Sequence, residues 1–291
     1  MKNKITLSLQ IIIGIVFLVS AYSKFIAPGI VEIILVDHGI VQTRELAAIL
    51  VRVLIGFEFG IGILFLQPFS IKKIAVPLAM FFLIGFTIYL IYTGYILNDS
   101  QNCGCFGEMI KMSPLESIIK NVVLMLMLVI LFKLKEGKPK NHFLALEIIV
   151  AAMMVVLIIL PVKDPSKFVF SKYTEFVGAG RVDLANGDKI VAVFNLECDH
   201  CQETAKEIAE LARQKVNFPQ VYVLFFKEAE NTPQKFFEVT NSQFPYAMIS
   251  AQEFFDLIGQ SPPRLYLLHN GNIKEYWDSD FIIHIKSLEK K

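Results

Sequence analysis

Lys189-Ile190-Val191-Ala192-Val193-Phe194-Asn195-Leu196-Glu197-Cys198-Asp199-His200-Cys201-Gln202 is the stretch on which the fold turns. Lys189 to Asn195 is a short apolar run that reads as a strand, and Gln202 to Ala212 reads as a helix. A Cys-x-x-Cys placed where a strand hands over to a helix reads as a redox device. Cys198 falls at the helix N-terminus, where free backbone N–H groups and the helix dipole favour a thiolate. Cys201 falls one turn on, near enough to close a disulfide. The competing reading is a structural disulfide or half of a zinc site. Zinc normally wants four ligands, and no second Cys-x-x-Cys stands nearby.

Working outward, the 291 residues are 54% hydrophobic with a mean hydropathy of +0.54, too apolar for one soluble protein. Residues 1–162 hold 13 Lys and Arg against 9 Asp and Glu, spaced between long apolar runs, whereas residues 163–291 hold 15 against 18. The chain therefore reads as a membrane half followed by a soluble, mildly acidic half, and neither half suggests nucleic acid. Five runs are long enough to cross a bilayer, near 5–26, 46–66, 74–97, 115–134 and 143–162. The first is read as a true span rather than a signal peptide, since no convincing small-x-small cleavage site follows it. Residues 28–43 are apolar but too short and polar-interrupted to span, and are expected to lie along the outer interface. Ser113-Pro114-Leu115-Glu116 predicts a capping box with Pro at the first helical position.

Lys2, Lys4, Lys72, Lys73, Lys133, Lys135, Lys138 and Lys140 fall on one side of these spans, and Lys24, Arg44, Lys111 and Lys120 on or near the other. The first side is expected to be cytoplasmic. With five spans, the C-terminal half then lies outside, in a periplasm of a bacterial inner membrane. The loop holding Cys103 and Cys105 lies on that same side. All four cysteines, in two close pairs, would face one oxidising compartment. Ionisable residues inside spans are functional candidates by default. Lys24, Arg52 and Glu58 are thus the candidate contacts for a membrane quinone, with a structural role, pairing to a neighbouring helix or snorkelling, as the alternative. Met125, Met127, Met153 and Met154 read as packing.

Ser20-Ala21-Tyr22-Ser23-Lys24-Phe25 and Cys103-Gly104-Cys105-Phe106-Gly107 resemble the DoxX/MauE membrane family over about residues 5–134. The resemblance implies a four-helix membrane domain (residues 1–134) with a redox-linked role at Cys103 and Cys105. A methylamine pathway does not carry over, because the C-terminal half departs from that pattern. Residues 135–162 would add a fifth transmembrane helix. A Cys-x-Cys disulfide is cramped and hence oxidising, which suits a relay.

The soluble half, residues 163–291, reads in order as a linker and entry strand, then a hairpin in which Asn186-Gly187 joins Gly180–Ala185 to Lys189–Asn195. The redox pair and its helix follow. Val221–Phe226 reads as a strand, and Thr232–Asn241 as a helix with Thr232 as cap and Pro233 at its first position. A short strand (Pro245–Ser250) and helix (Ala251–Ile258) come next. A hairpin around His269-Asn270-Gly271-Asn272 and a helix over Ser279–Lys290 close the chain. From about residue 175 this order resembles the thioredoxin fold. The overall expectation is a multi-span α-helical membrane bundle followed by a soluble α/β thioredoxin-like domain. The resemblance rests on Cys198-Asp199-His200-Cys201 and on Pro262-Pro263-Arg264-Leu265, where it implies a cis-proline at Pro263 lying against the redox pair. Pro262 ahead of it is unusual, and Glu197 replaces the usual Trp before the first cysteine. Glu197 is expected to raise the thiol pKa, with His200 and the helix lowering it.

These residues predict a membrane-anchored thiol–disulfide oxidoreductase. Cys198 exchanges with exported thiol-containing client proteins, Cys201 resolves the mixed disulfide, and Cys103/Cys105 passes electrons to a membrane acceptor such as quinone. No cysteine lies within a span or on the cytoplasmic side, so imported reductant cannot cross by thiol exchange alone, which favours the oxidising direction. The other readings are a periplasmic reductase fed by another membrane protein, a non-catalytic client-holding assembly factor, and copper handling through the cysteines and His200, for which soft ligands are sparse.

Overall fold

The computed structural model of the chain describes residues 2–68, 70–96, 112–135, 142–162, 167–214, 218–259 and 261–288. It divides into two compact units, Met1–Val162 and Lys163–Lys291.

The first unit is all helical, with α1 at Lys2–Ile26, α2 at Pro28–Asp37, α3 at Arg44–Leu66, α4 at Val76–Ile91, α5 at Pro114–Leu134 and α6 at His142–Ile159. Single π-helical turns precede and follow α4, at Ile71–Ala75 and Tyr92–Ile96. Among the described residues, four helices are long and apolar enough to cross a membrane, namely Asn3–Ile26, Arg44–Leu66, Ile71–Ile96 and Pro114–Leu134. Phe143–Ile159 is apolar but shorter. The bundle buries Ile13, Phe17, Ile61, Phe65, Leu124, Leu128 and Ile149. Its outward face carries Phe81, Ile88, Leu126, Phe143 and Ile158, all more than half exposed, as a surface solvated by lipid requires.

Glycines set the closest helix contacts. A Cβ on Gly56 would lie 2.4 Å from the Met153 Cα, and one on Gly60 would lie 2.9 Å from the Ile149 Cα. This Gly56-x-x-x-Gly60 face lets α6 lie directly on α3, a small-residue packing typical of membrane helices. In the stretch 135–162, expected to add a fifth transmembrane helix, α6 packs along α3. The Ser113–Glu116 capping box forms as expected, with Ser113 N–H donating to Glu116 Oε2 at 2.8 Å.

One end of the bundle gathers several chain ends. His38 Nδ1 meets Tyr89 Oη at 2.8 Å, which sets the α2–α3 connection beside the C-terminal part of α4. Gly94 packs on Pro114, and Arg52 Nε donates to the Leu160 carbonyl at 2.6 Å. The C-terminal end of α4, the N-terminal end of α5 and Leu160 after α6 therefore lie at this end of the bundle.

The second unit is a five-stranded sheet in the order β5-β4-β3-β6-β7. Its strands are β3 (Asp188–Asn195), β4 (Gln220–Phe226), β5 (Tyr246–Met248), β6 (Arg264–His269) and β7 (Asn272–Trp277), preceded by a small pair, β1 (Glu175–Phe176) and β2 (Gly180–Arg181). Helices α7 (Asp199–Gln214), α8 (Pro233–Thr240), α9 (Ala251–Leu257) and α10 (Phe281–Ser287) cover both faces. Ile190, Ala192 and Phe194 pack with Ala205, Ile208, Phe236 and Ile285 on one face. On the other, Phe254 stacks on Phe226 and Phe170 lies against Tyr266. Burial on both faces explains why β3 reads as an unbroken apolar run. With β4 parallel and β6 antiparallel to β3, this is the thioredoxin-like sheet.

One expected hairpin does not form. Gly180–Ala185 does not pair with β3, because both edges of β3 are already taken by β4 and β6. Gly180 and Arg181 pair with β1 instead. Asp183 turns the chain by accepting from Ala185 N–H at 2.8 Å, and Gly187 meets Asn270 at the β6–β7 turn. That second hairpin forms as expected, with Asn270 and Gly271 both at positive φ.

Candidate functional site

The redox pair sits where β3 ends and α7 begins. Cys198 stands at the helix N-terminus as expected, the helix starting at Asp199, three residues ahead of the Gln202–Ala212 run. The cause is Cys198, whose sulfur takes the place of a capping oxygen and accepts from Cys201 N–H at 3.1 Å. Its carbonyl accepts from Gln202 N–H at 3.1 Å. Cys201, Thr204, Ala205 and Ile208 form the buried stripe of α7 at helical spacing, so one cysteine is pulled into the core while the other stays at the rim. Cys201 is fully buried and Cys198 half-buried, and both are free thiols.

This asymmetry divides their acidities. The Cys198 thiol is lowered from its ordinary value chiefly by a hydrogen bond from the Cys201 side chain; the backbone N–H groups of Cys201 and His200 add to this, against burial and the charge of Asp199. Cys201 is pushed well up, first by burial, then by its hydrogen bond to Cys198 and by the charge there. Two expectations are refined here. His200 contributes its backbone N–H, while its side chain is exposed. The acid that opposes Cys198 ionisation is Asp199 rather than Glu197.

Glu197 does something the sequence did not suggest. Its carboxylate accepts from the backbone N–H groups of Glu228, Ala229 and Asn231 at 3.1, 3.1 and 3.2 Å. Asn195 Oδ1 accepts from Glu197 N–H at 2.9 Å and Asn195 Nδ2 donates to Glu228 at 3.1 Å. The residue before Cys198 is thereby buckled to the β4–α8 loop. Opposite, the Pro262–Pro263 peptide is cis, Pro263 is buried, and the Pro262 carbonyl oxygen lies 3.8 Å from Cys198 Sγ. Arg264 anchors this loop from below through a two-pronged pair with Asp278 at 2.6 and 2.7 Å.

Such a thiol should alkylate early. Of the two thiols in the second unit, native-state labelling of the reduced protein with iodoacetamide is expected to modify Cys198 and spare Cys201, with a pH midpoint for Cys198 below the roughly 8.5 of a free cysteine. The thiolate fraction, and with it the rate, rises with pH and reaches its plateau earlier than for a free thiol. Mass spectrometry of the labelled peptides checks this; a midpoint at or above the free value would contradict the hydrogen-bond pattern.

Cys103 and Cys105 lie outside the described residues. The three ionisable candidates in the bundle separate into two groups. Lys24 Nζ meets both Glu58 oxygens at 3.1 and 3.0 Å and Ser20 Oγ at 2.7 Å, fully buried between α1 and α3. Arg52 Nη1 pairs with Glu32 of α2 at 2.6 Å and donates to the Ala48 carbonyl at 2.8 Å, while its Nε caps α6. Arg44 also reaches Glu32, at 3.3 Å. The sequence singles out neither Glu32 nor Asn121, and Lys120 only as a marker of span orientation. Ser20, Glu58, Lys120 and Asn121 line a cavity of about 20 Å³, room for one water and not for a quinone ring. The Asn121 Oδ1 is buried there without a partner among the described residues.

Comparison with known proteins adds two likenesses. Residues 2–134 match the family described as methylamine utilisation protein MauE. Protein TlpB of Flavobacterium psychrophilum is 25% identical over 331 aligned residues, which take in 93% of this chain and 90% of that protein.

Proposed function

We propose, for a chain whose residues 2–134 match the MauE family and whose second unit is thioredoxin-like, the role of a membrane-anchored thiol–disulfide oxidoreductase. The observation that carries this reading is the division of labour in the pair, a half-exposed Cys198 held acidic by a buried Cys201. Cys198 exchanges with exported client proteins. Once its sulfur is bonded to a client it carries no charge, so two of the three causes that raise Cys201 disappear and only burial remains. Cys201 thus becomes the better nucleophile within the mixed disulfide, where its attack on Cys198 expels the client thiol and competes with closure of the client disulfide by the second client thiol.

Five spans, counting α6, put the N-terminus in the cytoplasm and the second unit outside, in the periplasm of a bacterial inner membrane. The same lysine distribution puts residues 97–111 on that side. In this scheme Cys103/Cys105 takes two electrons and two protons from the reduced Cys198/Cys201 pair, with the stretch 163–175 as tether raising the effective concentration of one pair near the other. A membrane quinone then accepts the electrons. Of its three candidate contacts, Arg52 is engaged in holding α2 and α6, which leaves Lys24 and Glu58 as the pair nearest a membrane step.

The purified full-length protein in detergent, given a reduced dithiol peptide and a soluble quinone analogue, is expected to oxidise the peptide over many turnovers. Cys103→Ser and Cys105→Ser variants are expected to stop after one. Turnover by wild type that ignores quinone and both serine variants alike would sink the relay. A wild type that never oxidises the peptide would sink the oxidoreductase reading itself.

A further inference from the structure

Two prolines in succession face Cys198, and the scheme above uses neither for what it lacks. Proline has no backbone N–H. The chain runs Ser261-Pro262-Pro263 into β6, which pairs antiparallel with β3 from Arg264 opposite Val193. This stretch therefore passes the end of β3 on the side where Cys198 is exposed. Pro262 is half-exposed and its carbonyl oxygen lies 3.8 Å from the sulfur.

A client cysteine bonded to Cys198 Sγ must bring its own backbone alongside this carbonyl. Two extended chains normally meet by exchanging both an N–H and a C=O. Here the exchange is one-sided, since Pro262 and Pro263 accept and cannot donate. We propose that Pro262 makes the client-docking edge acceptor-only, so that the site selects extended peptides that offer a free N–H beside the reactive cysteine and releases them readily. The inference rests on the oxidoreductase reading and concerns how its clients are held. During exchange, the client thiolate attacks Cys198, the Cys198–Cys201 bond breaks, and Cys201 takes the displaced electron pair and a proton. The second client thiol then closes the client disulfide and leaves Cys198 reduced. Nothing but the client's own two electrons and two protons moves.

The test uses the full-length protein with its Cys198–Cys201 pair oxidised. One substrate is dithiothreitol, which has no amide; the others are a dithiol peptide and its versions N-methylated at single amides flanking the reacting cysteine. For the wild type, methylation at one flanking position is expected to slow peptide oxidation about two- to tenfold, the loss of one hydrogen bond. Methylation elsewhere should do little. Pro262→Ala and Pro262→Val restore an N–H and are expected to raise the peptide rate relative to the dithiothreitol rate by a similar factor. Circular dichroism shows whether the variants are folded. A methylation series that is flat in the wild type overturns the proposal, even if both variants fail to fold. So does a peptide-to-dithiothreitol ratio that neither variant moves. Failure of the wild type to exchange with either substrate would instead remove the oxidoreductase reading.

Discussion

Replacing Cys201 with Ala is expected to leave client proteins covalently attached to Cys198 once its thiolate attacks a client disulfide and releases the client's other sulfur as a thiol, as adducts that reducing agent releases. In the native pair, Cys201 N–H stands 3.1 Å from the Cys198 sulfur, so the resolving thiol needs no search to reach the mixed disulfide. Well-oriented intramolecular groups reach effective molarities on the order of 10⁵ M or more. Burial holds Cys201 largely protonated and takes back part of that advantage. Even so, external thiols at millimolar concentration cannot compete, and the lifetime of the adduct should lengthen by orders of magnitude. Cys198→Ala, by contrast, should leave no adduct at all. The Cys201→Ala variant also loses the hydrogen bond that does most to lower Cys198, so its alkylation midpoint should move up. Non-reducing gels of membranes from cells expressing the variant, with and without dithiothreitol, give the readout. A client that co-purifies with Cys201→Ala without any reducible adduct would show a holder rather than an exchanger.

The second large effect concerns the bundle. Glu58→Ala strands the Lys24 ammonium, 1% exposed, against Ser20 alone, and Ser20 cannot balance its charge. Removing one partner of a buried ion pair costs about 3–5 kcal/mol in soluble proteins, and lipid on the outer face offers no better solvent. The variant should melt well below the wild type in detergent and accumulate poorly in membranes. Lys24→Met combined with Glu58→Met removes the charge as well as the partner and should recover most of the loss. Arg52 is expected to behave differently, because its loss would leave Glu32 paired with Arg44 and free the α6 carboxyl end. An unchanged melting temperature for Glu58→Ala would show that the pair is not holding α1 to α3.

Much of this was legible in the residues. Strand β3, the following helix and the cysteine spacing follow from an apolar run ending in Cys-x-x-Cys. The Ser113–Glu116 box and the Asn270-Gly271 turn are local devices, and local chemistry reads directly from sequence. Four spans are evident from length and hydropathy, because a bilayer imposes its thickness on any helix that crosses it.

Tertiary structure decided what depends on partners distant in the chain. The Asn186-Gly187 turn has hairpin chemistry, yet the hairpin is absent, since strand edges are a limited resource and β4 and β6 occupy both edges of β3. Glu197 reads as an acid beside a thiol, but its charge is taken up by three amides more than thirty residues away. Lys24, Arg52 and Glu58 look alike in sequence as charges inside apolar runs. Only packing separates them into a closed Lys24–Glu58 pair and an Arg52 that ties α2 and α6 to α3. A sequence states which groups carry charge or a donor; which of them meet is set by the long-range packing that buries them together.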